Sequence, residues 1–272
     1  MNRKTFLKMI GFDLWKLDHF RIKDAVFLCL FLMGIHFLSV LPLRIFLIDL
    51  IILYDLVFFG IVIVILRKSG GEEMRKILKW RKIPVPLFFA LLVMFFGMEI
   101  LRRDLGNIME MILPIPEGFF GDPYQNSIFT VLVCYSLFPA VTEELFFRGI
   151  ILRRLRGNYP RGKALAVSSL LFGLMHLNPW QALLAGIAGL FLGWIYLEFK
   201  SIWLCMFVHG YSNLMAYFVP FPVEYLPNPQ SYAVRVMHPP WFDIMGTVLF
   251  ITGWGLTVSI SRASRRRAWS TQ

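Results

Sequence analysis

Long apolar runs, broken by short polar and basic stretches, recur along most of the chain. Runs of this kind with almost no charge predict membrane-crossing helices, because ~20 apolar residues span the hydrocarbon core of a bilayer. Eight helices are expected: Asp24 to Leu41, Ile45 to Leu66, Val85 to Leu101, Ser127 to Leu152, Ala164 to Leu177, Gln181 to Phe199, Ser201 to Val219 and Trp241 to Ile260. The fifth is short for a full span and is expected to be partly sunk in protein. Asn178-Pro179 predicts a turn, with Trp180 as an interfacial anchor. Ala185, Gly189 and Gly193 fall four apart on the sixth helix, a small-residue stripe that lets another helix approach closely. The expected fold class is all-α, a polytopic transmembrane helix bundle.

Composition agrees with that class. Of the 272 residues 57% are hydrophobic and only 17% charged, against roughly 45–50% and ~25% in soluble domains. The net charge of +11 is explained by topology rather than by nucleic acid, for which no recognition motif is present. With both termini inside, the inner segments collect Arg67, Lys68, Arg75, Lys76, Lys79, Arg81 and Lys82, then Arg153, Arg154, Arg156, Arg161 and Lys163, and finally Arg262, Arg265, Arg266 and Arg267. The outer segments hold only Arg44, Arg102, Arg103 and Arg235. That asymmetry follows the positive-inside rule and supports an even number of spans. The expected location is a prokaryotic cell membrane, with both termini cytoplasmic. Cys29, Cys134 and Cys205 are widely spaced within apolar runs, which predicts buried thiols rather than disulfides or a zinc knuckle.

Four regions are expected. Residues 1–23 form a basic arm whose Phe6, Ile10, Leu14 and Leu17 share one helical side and suit the membrane surface. Residues 24–126 hold the first helices and an outer loop, 127–219 the chemically active core, and 220–272 a second outer loop, the last helix and a basic tail. No signal peptide, repeat or soluble domain is evident.

Ionisable residues inside a membrane are costly, about 2.5–3.5 kcal/mol each at a helix centre, and usually face protein or a water cavity. The fourth helix carries Glu143, Glu144 and Arg148. Glu144 and Arg148 are i,i+4 with the acid first, which favours an ion pair on one face. Glu143, rotated by about 100°, is left to face something else, although both acids neutralising one Arg at a helix end is an alternative. His176 lies in the fifth helix, and His209 and Asn213 share a face of the seventh. At ~1.5 Å per residue, Glu143, His209 and His176 lie about 15, 13 and 20 Å from the nearest inner basic residue, compatible with one site.

The segments Glu143-Glu144-x-x-x-Arg148, Phe172-x-x-x-His176 and His209-x-x-x-Asn213 resemble, in order, the three motifs of the CPBP family of intramembrane proteases. That family includes type II CAAX prenyl endopeptidases and bacteriocin-processing or immunity-type membrane proteins. The resemblance covers roughly Ser127 to Val219. It implies an endopeptidase in which Glu143 activates a water, His176 helps to hold it, and His209 and Asn213 stabilise the oxyanion. Glu144, Arg148 and Phe172 support the site. The implied partners are a protein or peptide substrate and the lipid bilayer, with no cofactor; the oligomeric state is open.

Other readings use the same residues. Glu143, His176 and His209 match the three protein ligands of a catalytic divalent metal such as zinc, but the motif H-E-x-x-H is absent. Cys205 lies four before His209, as a Cys–His nucleophile would require, but the acid cluster would then have no role. The Glu/His cluster also fits a relay in a proton-coupled transporter, or a fold kept by a non-catalytic scaffold or immunity protein. Asp55 and Glu99 are intramembrane acids outside the three motifs and carry no assigned role.

Overall fold

The computed structural model describes residues 20–40, 47–115, 127–218 and 238–270. The basic N-terminal arm and most of the loop before the last helix lie outside these residues. Among the described residues all regular structure is helical. The elements are α1 (Ile22–Val40), α2 (Leu47–Lys68), α3 (Gly71–Leu78), α4 (Val85–Ile112), α5 (Ile128–Asn158), α6 (Arg161–Leu174), α7 (Pro179–Phe199), α8 (Ile202–Phe218) and α9 (Pro240–Ser270). Among the described residues four segments, Val85–Ile112, Ile128–Asn158, Pro179–Phe199 and Pro240–Ala263, are long and apolar enough to cross a membrane.

Several boundaries differ from the expected ones, each for a local reason. α4 continues to Ile112, so Arg102, Arg103 and Asp104 are helical rather than part of a loop. α9 likewise carries its basic end in helix as far as Ser270. The connection after α2 folds into the short helix α3, because its one buried residue, Ile77, finds a seat beside Gly149 of α5. Glu73 of α3 receives Arg153 at 2.6 Å, and Trp203 donates to the Leu78 carbonyl at 2.9 Å. This stretch therefore docks on α5 and α8 through Glu73 and the Leu78 carbonyl. α6 stops at Leu174, three residues early. The chain turns through Leu177 at φ 57°, and Asn178 caps α7 by accepting the Gln181 N–H at 2.8 Å. Trp180 is buried inside the protein instead of anchoring an interface.

The chain divides into two compact units, Met1–Trp80 with Phe138–Met206, and Arg81–Leu137 with Phe207–Gln272. In the first, α6 lies against α7 along the small-residue stripe, as expected. A Cβ on Gly189 would stand 3.0 Å from the Phe172 ring and 3.3 Å from Ser169 Cα, and one on Gly193 would stand 2.5 Å from Leu165. Gly173 faces the Ala182 carbonyl in the same seam, too closely for any side chain. In the second unit α4 and α9 meet backbone to backbone. A Cβ on Gly97 would lie 2.5 Å from the Gly246 carbonyl oxygen, and one on Gly253 would lie 2.5 Å from Met94 N. With no hydrophobic force between helices in lipid, such contact is what holds a pair together.

Gly253→Ala is therefore expected to destabilise by about 1–3 kcal/mol, the usual cost of overpacking, because the obstacle is main chain. Gly60→Ala on α2, where nothing lies within 4 Å, is expected to raise stability by up to about 1 kcal/mol, the helix-interior difference between Gly and Ala. Thermal unfolding in detergent checks both.

Candidate active site

The helix that carries the acids is not uniform. Ser127 starts α5 by accepting the Thr130 N–H at 3.1 Å. Pro139 has no N–H and its ring crowds the carbonyl four residues back. The helix answers by widening to π geometry over Val131–Leu137. It returns to α over Phe138–Glu144, then widens again over Leu145–Leu152. Insertions of this kind re-aim side chains and occur frequently at functional sites. The short α segment between them holds Glu143 and Glu144.

The two acids have different surroundings. Glu144 is fully buried, and its Oε1 accepts Arg148 Nη1 at 2.7 Å, the pair expected from the i,i+4 spacing. Arg148, also buried, uses Nη2 on the Gly189 carbonyl of α7 at 3.0 Å. Its guanidinium lies 4.6 Å from the centre of the Phe172 ring. Phe172 is thus the stacking surface for the cation, and it stands edge-on to Phe147 at 5.0 Å.

Glu143 turns elsewhere. It lines a cavity of about 180 Å³ in the first unit, together with His176 and Phe172. Tyr54 and Asp55 of α2 and Gln181 of α7 share the lining, with apolar walls from Phe58, Phe147 and Met175. His176 sits in the turn after α6, not within the helix as expected, because the helix ends before it. Its Nδ1 is 3.0 Å from the Phe172 carbonyl. A carbonyl only accepts, so Nδ1 carries the proton and a neutral imidazole keeps its lone pair on Nε2. The ring stands edge-on to Phe172 at 5.3 Å, and the His176 carbonyl accepts Asn178 Nδ2 at 2.9 Å. Ring and backbone are both held.

His209 and Asn213 belong to the second unit, one helical turn apart on α8. His209 is buried, and Asn213 Nδ2 donates to the Ser136 carbonyl of α5 at 3.5 Å, while Ser136 Oγ donates to the Gly210 carbonyl at 2.8 Å. Between them Ser212 donates to Glu99 of α4, a very short contact. Glu99 also takes Arg102 Nη1 at 2.5 Å, and Arg102 reaches Ser212 at 3.3 Å. Glu99, unassigned from sequence, thus braces the helix that carries His209 and Asn213.

Tyr54 and Gln181 are polar cavity residues that sequence reasoning did not find, and Asp55 stands out in the sequence only as an intramembrane acid without a role. An intramembrane acid was the only signal, and it did not say which helix α2 faces. Cys205 is fully buried with its thiol donating to the Leu192 carbonyl at 3.6 Å, the placement of a structural residue. The described cysteines are all free, as expected. As metal ligands, Asp55, Glu143 and His176 share the cavity but do not bring their ligand atoms within 4.8 Å of one another.

Residues 125–215 match the protein family described as Rce1-like, Type II CAAX prenyl endopeptidase. The matched stretch begins just before α5 and ends within α8, and so contains all three motifs. No curated protein and no solved structure matches the chain.

The buried pair sets a stability prediction. Glu144→Gln leaves Arg148 buried with its charge unanswered, and loss of about 3–5 kcal/mol is expected. The double variant Glu144→Leu/Arg148→Met removes both charges and is expected to lose less than Glu144→Gln or Arg148→Met alone. Thermal unfolding of the three variants in detergent tests the order.

Proposed function

We propose, for a chain whose residues 125–215 match the Rce1-like family of type II CAAX prenyl endopeptidases, an intramembrane endopeptidase in which Glu143 activates the attacking water. The substrate is a membrane-associated, lipidated or C-terminally anchored protein or peptide precursor. The observation that carries the reading is the cavity in which Glu143 and His176 meet, within an integral membrane protein.

The water gives one hydrogen to the Glu143 carboxylate and the other to His176 Nε2, the ring nitrogen left open by the Nδ1 contact to Phe172. Its lone pair then attacks the scissile carbonyl carbon as its proton passes to Glu143. Collapse of the tetrahedral intermediate breaks the C–N bond, and Glu143 returns the proton to the leaving amine. His209 and Asn213 take the oxyanion-donor role that the family motif implies; one such donor contributes about 3–4 kcal/mol in well-studied cases. Apolar walls from Phe58, Phe147 and Met175 limit bulk water around Glu143 and His176, which strengthens their interactions with the water. Asp55 is assigned as a second acid of the cavity, ordering water beside Glu143. The reading needs no metal.

The test uses purified wild type, Glu143→Gln and Asp55→Asn with fluorogenic peptides, prenylated and unprenylated. Wild type is expected to cleave, and Glu143→Gln to lose about 10²–10⁴-fold. Asp55→Asn is expected to lower kcat by less, with KM little changed. Equal rates for wild type and Glu143→Gln overturn the reading. An ion held by wild type and lost from both Glu143→Gln and His176→Ala replaces it with metal-assisted hydrolysis. Substrate uptake without cleavage in reconstituted vesicles favours the transport alternative.

A further inference from the structure

The second unit contains another convergent polar cluster, to which the protease reading gives no task. Asp104 lies on α4, and His238 and Asp243 bracket the start of α9. One ligand atom from each lies within 4.8 Å of the other two. His238 Nδ1 is 3.1 Å from Asp104 Oδ1 and 3.3 Å from Asp243 Oδ1. These residues fall outside all three motifs, and Asp104 and His238 are 134 positions apart.

The two spacings from His238 Nδ1, 3.1 and 3.3 Å, fall in the range of a coordination sphere. With metal–ligand bonds of about 2.1 Å, adjacent donors stand about 3.0 Å apart in an octahedron and about 3.4 Å apart in a tetrahedron. The donors are also held in place. The His238 N–H donates to Asp104 Oδ1 at 3.1 Å, and the imidazole stands edge-on to Phe242 at 5.1 Å. Asp104 and His238 are buried, while the Asp243 side chain is 30% exposed, which leaves a path for an ion and for water ligands. Two carboxylates and a neutral imidazole carry two negative charges between them, which one divalent cation neutralises. One nitrogen and two oxygens, with no thiolate, suit a borderline first-row ion better than a soft one.

We propose that Asp104, His238 and Asp243 bind a first-row divalent cation that braces α4 against the first turn of α9. The inference does not rest on the protease reading, since Glu143 and His176 belong to the first unit. The competing arrangement is a protonated His238 held between the two acids, which binds no metal.

The experiment uses the full chain in detergent, stripped with chelator and then dialysed against micromolar Zn²⁺, with bound metal counted by mass spectrometry. Wild type and Glu143→Gln are expected to retain one equivalent. Asp243→Asn, at the exposed member of the set, and His238→Gln are expected to bind ~10-fold or more weakly, by analogy with loss of an outer-shell partner. Zn²⁺ is expected to raise the unfolding midpoint of wild type and not that of Asp243→Asn, whose midpoint in chelator reports that it is folded. Absence of metal from folded wild type overturns the proposal. So does metal retained by both Asp243→Asn and His238→Gln, or lost from Glu143→Gln. Binding of Ca²⁺ but not Zn²⁺ or Mn²⁺ overturns the class of ion. Cleavage is not read, so this result stands apart from the fate of the protease reading.

Discussion

Arg148 carries a planar guanidinium with five N–H donors, and it is buried among apolar helices. A guanidinium in that position must be met by an opposite charge, by acceptors and by a surface to lie on. Glu144 supplies the charge from within α5, the Gly189 carbonyl of α7 the acceptor, and Phe172 of α6 the surface. Satisfying one side chain thus draws three helices together. Gly189 is where α7 comes so close to α6 that even a methyl group would crowd the Phe172 ring and Ser169. Phe172, pinned under the cation, holds His176 through its own carbonyl and ring. The position of the candidate catalytic histidine is a consequence of how a structural arginine is accommodated.

The two adjacent acids show how little chain is needed to separate structural from chemical duty. Neighbours on an α-helix point about 100° apart, so one can be spent on an ion pair while the other lines a cavity. Here the separation is set by the short α segment between two π stretches, the first of which makes room for Pro139. Glu144 is sealed, and Glu143 shares space with His176 and Asp55.

The same physics recurs in the second unit on other residues. Glu99 is buried and is answered by Arg102 and Ser212. That triad ties α8 to α4 between His209 and Asn213. Asn213 and Ser136 add links to the widened part of α5. Buried polar networks of this kind are costly when half satisfied, so they hold a helix face in one orientation. The oxyanion-donor role proposed for His209 and Asn213 would draw on that orientation, because donors arranged beforehand cost no reorganisation during a reaction.

The all-helical class, the apolar spans, the small-residue seam of α7 and the Glu144–Arg148 pair were legible in the chain itself. Each depends on helical periodicity or on composition, which are local properties. The roles expected of Glu143, His176, His209 and Asn213 came from ordered motifs, whereas their surroundings did not. That His176 stands just outside α6, that Asp55 shares the cavity of Glu143, that Glu99 serves Ser212, and that Asp104 meets His238 were decided only by tertiary structure. In each of these cases the partner is distant in sequence or depends on where a helix stops. A run of apolar residues states that a helix is buried, but not which neighbour it is buried against. In lipid that choice is made by close backbone contact at glycines such as Gly97 and Gly253, and by the few polar groups that must find one another.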